Sequence, residues 1–444
     1  MVMTDKDRFE KNSRIKATRE ATIARHAAMK CKVLDLKLSS KKMTIKQKDA
    51  LNSLFREAKW CYNSMVASGI QGYDTKAKTV QVKLPSGDFE TREYSVLGNQ
   101  VRQFLKVRIR SNLTGLRVAK LKGRKAGKLR FVSTLDSVPL MQYGITYSLR
   151  GDSKNRLKIQ NIPGQFTVLG HRQLADVDEI TNANLVRKAD GYHLLVTTFT
   201  SKDKLRKKDL KSTPIGVDFG VKTALTLSDG REFNHRIEES ERLKKLQRKH
   251  ARQQKDSKNS MKTLAKLNRE YLKLSYKKDD LANKIVSQIL AHEHVYIQDE
   301  NISSWRRKKS KARGSRAVQH GVLGRVKAKL VNHPRVTVHG RWVPTTAWCH
   351  LCGVVTPHSL DKRIFECSGC GFSEPRDIHA ALNMVRLSED SNLFVPEGLG
   401  EVTPVETSAS AEGVSASSVS SVVEAGNRSI GGRGVDTSMS SAST

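Results

Sequence analysis

The chain of 444 residues has no apolar run approaching the ~20 residues that a bilayer-spanning helix needs. Its opening, MVMTDKDRFEKNSRIKATRE, has none of the apolar core of a secretory leader, so secretion is not expected. Six cysteines are too few for a disulfide scaffold: four have metal-like spacing, and Cys31 and Cys61 stand alone in apolar-periodic contexts. That usage suits a reducing cytoplasm. No internal repeat is evident. Acidic residues are scarce beside basic ones, 44 against 80, which gives a formal net charge of +36 and a pI of about 10.1. Such an excess points to a polyanion partner, because phosphates neutralised by Lys and Arg release condensed counterions. A solvated basic surface or an anionic membrane surface would explain the charge but none of the chemistry below. The length allows several domains and more than one apolar core.

What is present divides the chain. Residues 1–30 read as a basic, partly helical arm, and KVLDLKL (32–38) alternates as a strand should. Thr44 and Gln47 fit a capping box ahead of a helix of about six turns carrying Leu51, Leu54, Phe55, Ala58, Tyr62 and Met65. In that helix Lys59 and Trp60 are candidate nucleic-acid contacts, although at such spacing Trp60 reads as a core residue. A second helix around Leu97 to Ile109 leads into the Gly-interrupted basic loop KLKGRKAGKLRF (120–131), with Lys120, Lys122, Arg124 and Lys125 as candidate phosphate contacts. ITYSL, RLKIQNI, FTVLG and a hairpin about Asp190-Gly191 then suggest a small barrel of the oligonucleotide-binding kind, interrupted by the helices. PIGVDFGVKTALTLSDGREF (214–233) is the clearest sheet signal, and a basic helical region over 238–290 breaks near Asp256-Ser257-Lys258-Asn259. HVYIQDENISSW (294–305) is a strand ending in acids, followed by the basic loop RRKKSKARGSR, a helix over 322–330 and a strand over 335–340. Beyond about Leu387 the Ser-, Ala- and Gly-rich composition predicts no fixed structure.

Two patterns carry chemistry. Cys349-His350-Leu351-Cys352 and Cys367-Ser368-Gly369-Cys370 are C-x-x-C pairs fourteen residues apart, each followed by glycine. Four thiolates close a tetrahedral Zn2+ site with no position for water, so the metal is structural; His350 or His358 as a replacement ligand is the weaker reading. The second pattern is three separated acids: Asp218 at the end of one strand, Glu300 or Asp299 at the end of another, and Asp377 at the start of a helix. Taken singly, Asp218 could form a turn and Asp377 could cap a helix. Together they offer the hard oxygen ligands that a pair of Mg2+ ions needs for phosphodiester hydrolysis.

IGVDFGVKTALTLSDG, KLQRKHARQQKDSKN, VYIQDENI, the paired C-x-x-C knuckles and RDIHAALNM occur in the order of the RuvC nuclease domain of TnpB, a transposon-encoded family related to the miniature type V CRISPR effectors. KVLDLKL before LFREAKWCYN, and DGYHLLVTT before the nuclease core, resemble its amino half, so the similarity covers roughly residues 31–390. It implies an α/β fold with insertions: an RNase H-like RuvC nuclease core, an OB-like wedge β-barrel, a helical recognition insert and a small zinc ribbon. The expected order is a basic arm over 1–30, the wedge barrel at 31–48 and 131–211, the helical insert at 49–130, the nuclease core at 212–340 resuming at 376–390, the zinc-ribbon insert at 341–375, and a tail over 391–444.

The resemblance also implies an RNA-guided DNA endonuclease in a prokaryotic, nucleoid-associated cytoplasm, with two catalytic Mg2+ ions, one structural Zn2+, a structured guide RNA and a DNA target. Asp218 and Asp377 become the first and last catalytic carboxylates and Arg376 a phosphate contact. For the second carboxylate the family commonly has Glu-Asp-Leu where this chain has Gln298-Asp299-Glu300. Strand alternation would put Glu300 on the face of Gln298 and turn Asp299 away, making Glu300 the expected ligand and Asp299 or the remote Glu239 the alternatives. A binder with weak or no cleavage, or a strand-transfer transposase, are the rival readings.

Overall fold

The computed structural model describes residues 5–70, 72–84, 86–204, 210–221, 223–306, 320–356 and 362–389. The tail expected over 391–444, nearly all of the basic loop at 306–316, and His358 lie outside the described residues. The basic arm forms helix α1 (Asp5–Ala27), whose Arg25 and His26 both reach Glu179. Strand β1 (Met29–Leu38) follows, with Leu34, Leu36 and Leu38 buried at the alternation the sequence predicts. Helix α2 (Ile45–Ser68) starts at the predicted capping box: Thr44 Oγ1 accepts from the Gln47 amide while Gln47 Oε1 accepts from the Thr44 amide.

The region expected to be wholly helical also holds a hairpin, β2 (Thr79–Lys83) and β3 (Phe89–Glu93), before α3 (Asn99–Leu121). The turn into α3 is organised by Glu57 on α2, whose buried carboxylate accepts from the amides of Ser95, Val96 and Leu97 and from the Ser95 hydroxyl. Strands β4 (Ser137–Leu140), β5 (Tyr147–Arg150), β6 (Arg156–Ile159), β7 (Phe166–Leu169), β8 (Glu179–Lys188) and β9 (Gly191–Ser201) complete a seven-stranded sheet in the order β4-β8-β9-β1-β7-β6-β5. The sheet curls towards closure, with the Tyr147 hydroxyl on β5 donating to the Thr181 carbonyl on β8. The inner face of this sheet and the apolar faces of α2 and α3 share one continuous core.

A second core lies under a five-stranded sheet. Strands β10 (Ile215–Phe219), β11 (Leu225–Leu227) and β12 (Glu232–Phe233) run antiparallel to their neighbours, while β13 (Val295–Gln298) and β14 (Val336–His339) extend the sheet from β10 in parallel, giving the order β12-β11-β10-β13-β14. Between the two halves of that sheet come α4 (Glu241–Arg252) and the long α5 (Lys258–Ile289), separated where the sequence predicts a break; Asp256 there adopts a left-handed φ of 62°. Ala282, Ile285, Val286 and Ile289 of α5 and Leu323, Val326 and Leu330 of α6 (Leu323–Leu330) fill the core against β10, β11 and β13. A small ribbon with β15 (Ile364–Glu366) and β16 (Ser373–Pro375) precedes the last helix, α7 (Arg376–Glu389), which packs on β10.

Candidate active site and metal centre

In β10 the run Ile215-Gly216-Val217 is buried on both faces, and Asp218 stands near the C-terminal end of the strand with some solvent exposure. Gly216 allows α7 to lie directly against the strand: a Cβ there would fall 1.8 Å from the carbonyl oxygen of Ala381. Asp377 is about one helical turn ahead of Ala381, and Asp218 is two residues past Gly216, so this close crossing carries the helix's first acid to the strand's last. The carboxyl of Asp218 is pushed up to about 7 by the surrounding protein, then by the charge of Asp377, then by that of Glu300, with Arg376 and the Phe219 amide opposing. Two acids distant along the chain therefore bear on Asp218 here.

Gln298 lies beside Asp218, because β10 and β13 pair in parallel with Val217 opposite Ile297. Its amide is committed elsewhere. Nε2 reaches the carbonyls of Gly340, Arg341 and Val343 at 3.1, 3.2 and 2.8 Å, and Oε1 accepts from Thr345 Oγ1 at 3.3 Å. The strand stops at Gln298, and the Glu300 amide then donates to the Gln298 carbonyl at 2.8 Å, a tight turn. Glu300 thus takes its position, from which its charge bears on Asp218, by that turn and not by the strand alternation the sequence suggests. Burial raises the Glu300 carboxyl, against the pull of Lys327 and Arg341. Asp299 pairs with Lys327 Nζ at 2.6 Å and Arg341 at 3.0 Å, and Lys327 above all holds it below its ordinary range. Glu239 accepts from Gln247 at 3.4 Å.

Arg376 is folded over the last acid, its guanidinium 3.2 Å from Asp377 Oδ1 and also donating to the Lys362 carbonyl at 3.1 Å. Arg363 comes within 3.9 Å of the other Asp377 oxygen. Sequence reading overlooked this second arginine because it lies in the ribbon, thirteen residues before the motif that marks Arg376.

The four ribbon cysteines face one another, with Cys349 and Cys370 sulfurs 3.8 Å apart and Cys352 and Cys367 sulfurs 3.4 Å apart. A tetrahedron with Zn–S bonds of about 2.3 Å has edges of about 3.8 Å, so the cluster fits a zinc ribbon. Gly353 and Gly371 take φ of 74° and 71°, the left-handed turns that bring each pair round the metal position. The Cys370 and Gly369 amides donate to Cys367 Sγ and hold that thiol down to about 6, favouring the thiolate that binds metal. His350 does not join this set; its ring turns to Glu374 and His379.

Comparison with known proteins bears on both halves of the site. Residues 325–384 match the family model described as "Cas12f1-like, TNB domain", and residues 196–303 match that described as "Probable transposase". A Streptomyces pristinaespiralis protein named "Putative RNA-guided DNA endonuclease" is 26% identical over 221 residues, 48% of this chain and 54% of the relative. Two Mycobacterium tuberculosis proteins named in the same way are each 33% identical over 63 residues, 14% of either chain. The resemblance to the TnpB family holds. The chain spans about half the length of the Streptomyces relative, and the matching stretch of the mycobacterial ones is shorter still. Among solved structures, a Cas12f1–sgRNA–target DNA complex aligns with a TM-score of 0.40 at 13% identity, over 80% of this chain and 99% of that one. A CasPhi-2 (Cas12j) complex with crRNA and phosphorothioate DNA aligns at 0.36 and 10% identity, over 86% and 96%. Scores of that size fix neither fold nor function.

The charges of Asp377, Glu300 and Arg376 all bear on Asp218, whereas Lys120, Lys122, Arg124 and Lys125 lie exposed where α3 ends and the following loop begins. Trp60 is buried under the guanidinium groups of Arg56 and Arg92, at 5.6 and 5.1 Å from its ring, and Lys59 is half-buried. No described helix is long and apolar enough to cross a membrane.

Proposed function

We propose that the protein is an RNA-guided DNA endonuclease whose cutting site is Asp218, Glu300 and Asp377 on an RNase H-like, RuvC-type sheet. One observation carries the reading: the charges of Asp377 and Glu300 both act on the Asp218 carboxyl, at the end of a strand whose neighbours run antiparallel on one side and parallel on the other. The donor set suits Mg2+, since three carboxylates of like charge supply hard oxygens and repel one another until a cation is shared. When bound, a pair of Mg2+ ions would activate water and stabilise the leaving oxygen of a phosphodiester.

The chain's own residues do the rest. Asp218 and Asp377 are held by the β10–α7 crossing, and Glu300 by its turn. Arg376 and Arg363 place positive charge beside the acids, where a scissile phosphate would sit. The zinc ribbon leads directly into α7, which carries Asp377 in its first turn, a position suited to holding a DNA strand against the acids. The curled sheet with α1 to α3, its basic residues including Lys120, Lys122, Arg124 and Lys125, would hold a structured guide RNA, so that base pairing reads the target while the protein reads duplex shape and a short flanking motif.

The test is to purify the full chain with its native locus, sequence the RNA that accompanies it, and incubate the complex with a DNA library randomised beside the target. Asp218→Ala and Asp377→Ala should retain the RNA and lose cutting by at least about 100-fold, the upper end of what losing even an outer-shell partner of a metal costs. Cleavage at the parental rate by either variant would falsify the assignment, and a parental complex that joins DNA ends without RNA would favour a strand-transfer transposase.

A further inference from the structure

Beside the cysteine cluster lies a second group of converging donors that the cutting mechanism does not use. His350 comes from the first zinc knuckle, Glu374 from β16 and His379 from the first turn of α7. His350 Nδ1 is 3.3 Å from His379 Nδ1 and 3.2 Å from Glu374 Oε1, and His379 Nδ1 is 2.6 Å from the same oxygen. A point about 1 Å out of the plane of these three atoms lies about 2.0–2.1 Å from each, the bond length of Zn2+ to imidazole nitrogen and carboxylate oxygen.

The surroundings are those of a ligand site. His379 is wholly buried, and its other nitrogen, Nε2, donates to the Trp348 carbonyl at 2.6 Å. That bond fixes the tautomer, so that with an ion bound Nδ1 would offer its lone pair to the cluster; metal-bound histidines are oriented by such a carbonyl bond. Phe365 stacks on the His379 ring at 3.7 Å and Phe372 packs edge-on against His350 at 5.1 Å, closing an apolar wall around the donors. Imidazole and carboxylate ligands suit a borderline divalent transition ion, Zn2+ above all, and offer too few oxygens for Mg2+.

We propose that His350, Glu374 and His379 form a second transition-metal site, distinct from the four cysteines and from the acids. It ties the ribbon to α7 two residues from Asp377, so its ion fastens the ribbon to the helix that completes the acid site. The inference does not depend on what the protein cuts.

The experiment uses the untagged full-length chain carrying Asp218→Ala, so that the acid site contributes no tight ion. It is stripped with chelator, reloaded with Zn2+ in excess Mg2+ and gel-filtered before zinc is measured per chain. The expected content is two, falling to one in His350→Gln/His379→Gln with unchanged far-ultraviolet circular dichroism. With Co2+ in place of Zn2+, the ion kept by that variant should show the thiolate charge-transfer band. Should the histidine variant fold poorly, the parental chain decides alone: two ions, one without thiolate character, support the site. A single ion with thiolate character overturns it and leaves the cluster held by a proton.

Discussion

Gln298 is where the sequence is most easily misread. An ungapped alignment puts it on a catalytic position, yet its Nε2 serves three carbonyls of the segment leading to the zinc ribbon. Restoring an acid with Gln298→Glu should therefore damage the protein and not improve it. A carboxylate at this buried position would face three carbonyl oxygens with no proton to give, and an unpaired buried charge costs about 3 kcal/mol or more. The melting midpoint should fall by several degrees and cutting should drop with it; a variant that melts normally and cuts faster would show that Gln298 occupies a ligand position after all. Asp218 and Asp377 are legible because each sits inside a short motif, at a strand end and at a helix start. Glu300 is legible only as a candidate, since what brings it inward is a turn closed by a backbone bond to Gln298. The His350, Glu374 and His379 cluster was invisible for a further reason: its members come from three elements whose meeting depends on the ribbon's packing.

At the scale of elements, the seat of α7 on β10 decides whether the acids meet. Gly216→Ala would drive a methyl group into the Ala381 carbonyl, so the helix must lift from the strand. The expected result is loss of cutting by about 100-fold or more, with RNA retained, because the core of the curled sheet is separate from that beneath β10. Normal cutting by this variant would mean that the helix position is unimportant. Zinc removal acts on the neighbouring element: among the described residues the ribbon buries only Cys349, Phe365 and Cys367 as its own apolar cluster, too little to hold it without metal. A tight chelator should abolish DNA engagement before RNA is released, as separate filter-binding assays on the two nucleic acids would show. Elements with strong periodicity were readable, among them β1, α2 with its capping box, β10, and α5 with its break from α4. The β2–β3 hairpin was not, because Phe89 is exposed and only Val80 is buried, which leaves little alternation to detect.

For the whole molecule, a net charge of +36 makes binding a matter of ionic strength. If six to ten phosphates of duplex DNA are contacted, affinity should fall by about 10³–10⁵ between 50 and 200 mM salt; a flat response would remove the case for a backbone-tracking surface. The two larger apolar cores assign separate tasks to the chain, one packing the curled sheet with α2 and α3 and one holding the acidic strand ends. The central claim joins the second core to chemistry: three carboxylates share a pair of cations. Anomalous diffraction from crystals of the full chain soaked in Mn2+ measures this most directly. Two manganese peaks about 4 Å apart, ligated by Asp218, Glu300 and Asp377, are the predicted result. Manganese bound elsewhere, with these three side chains free of it, would contradict the account.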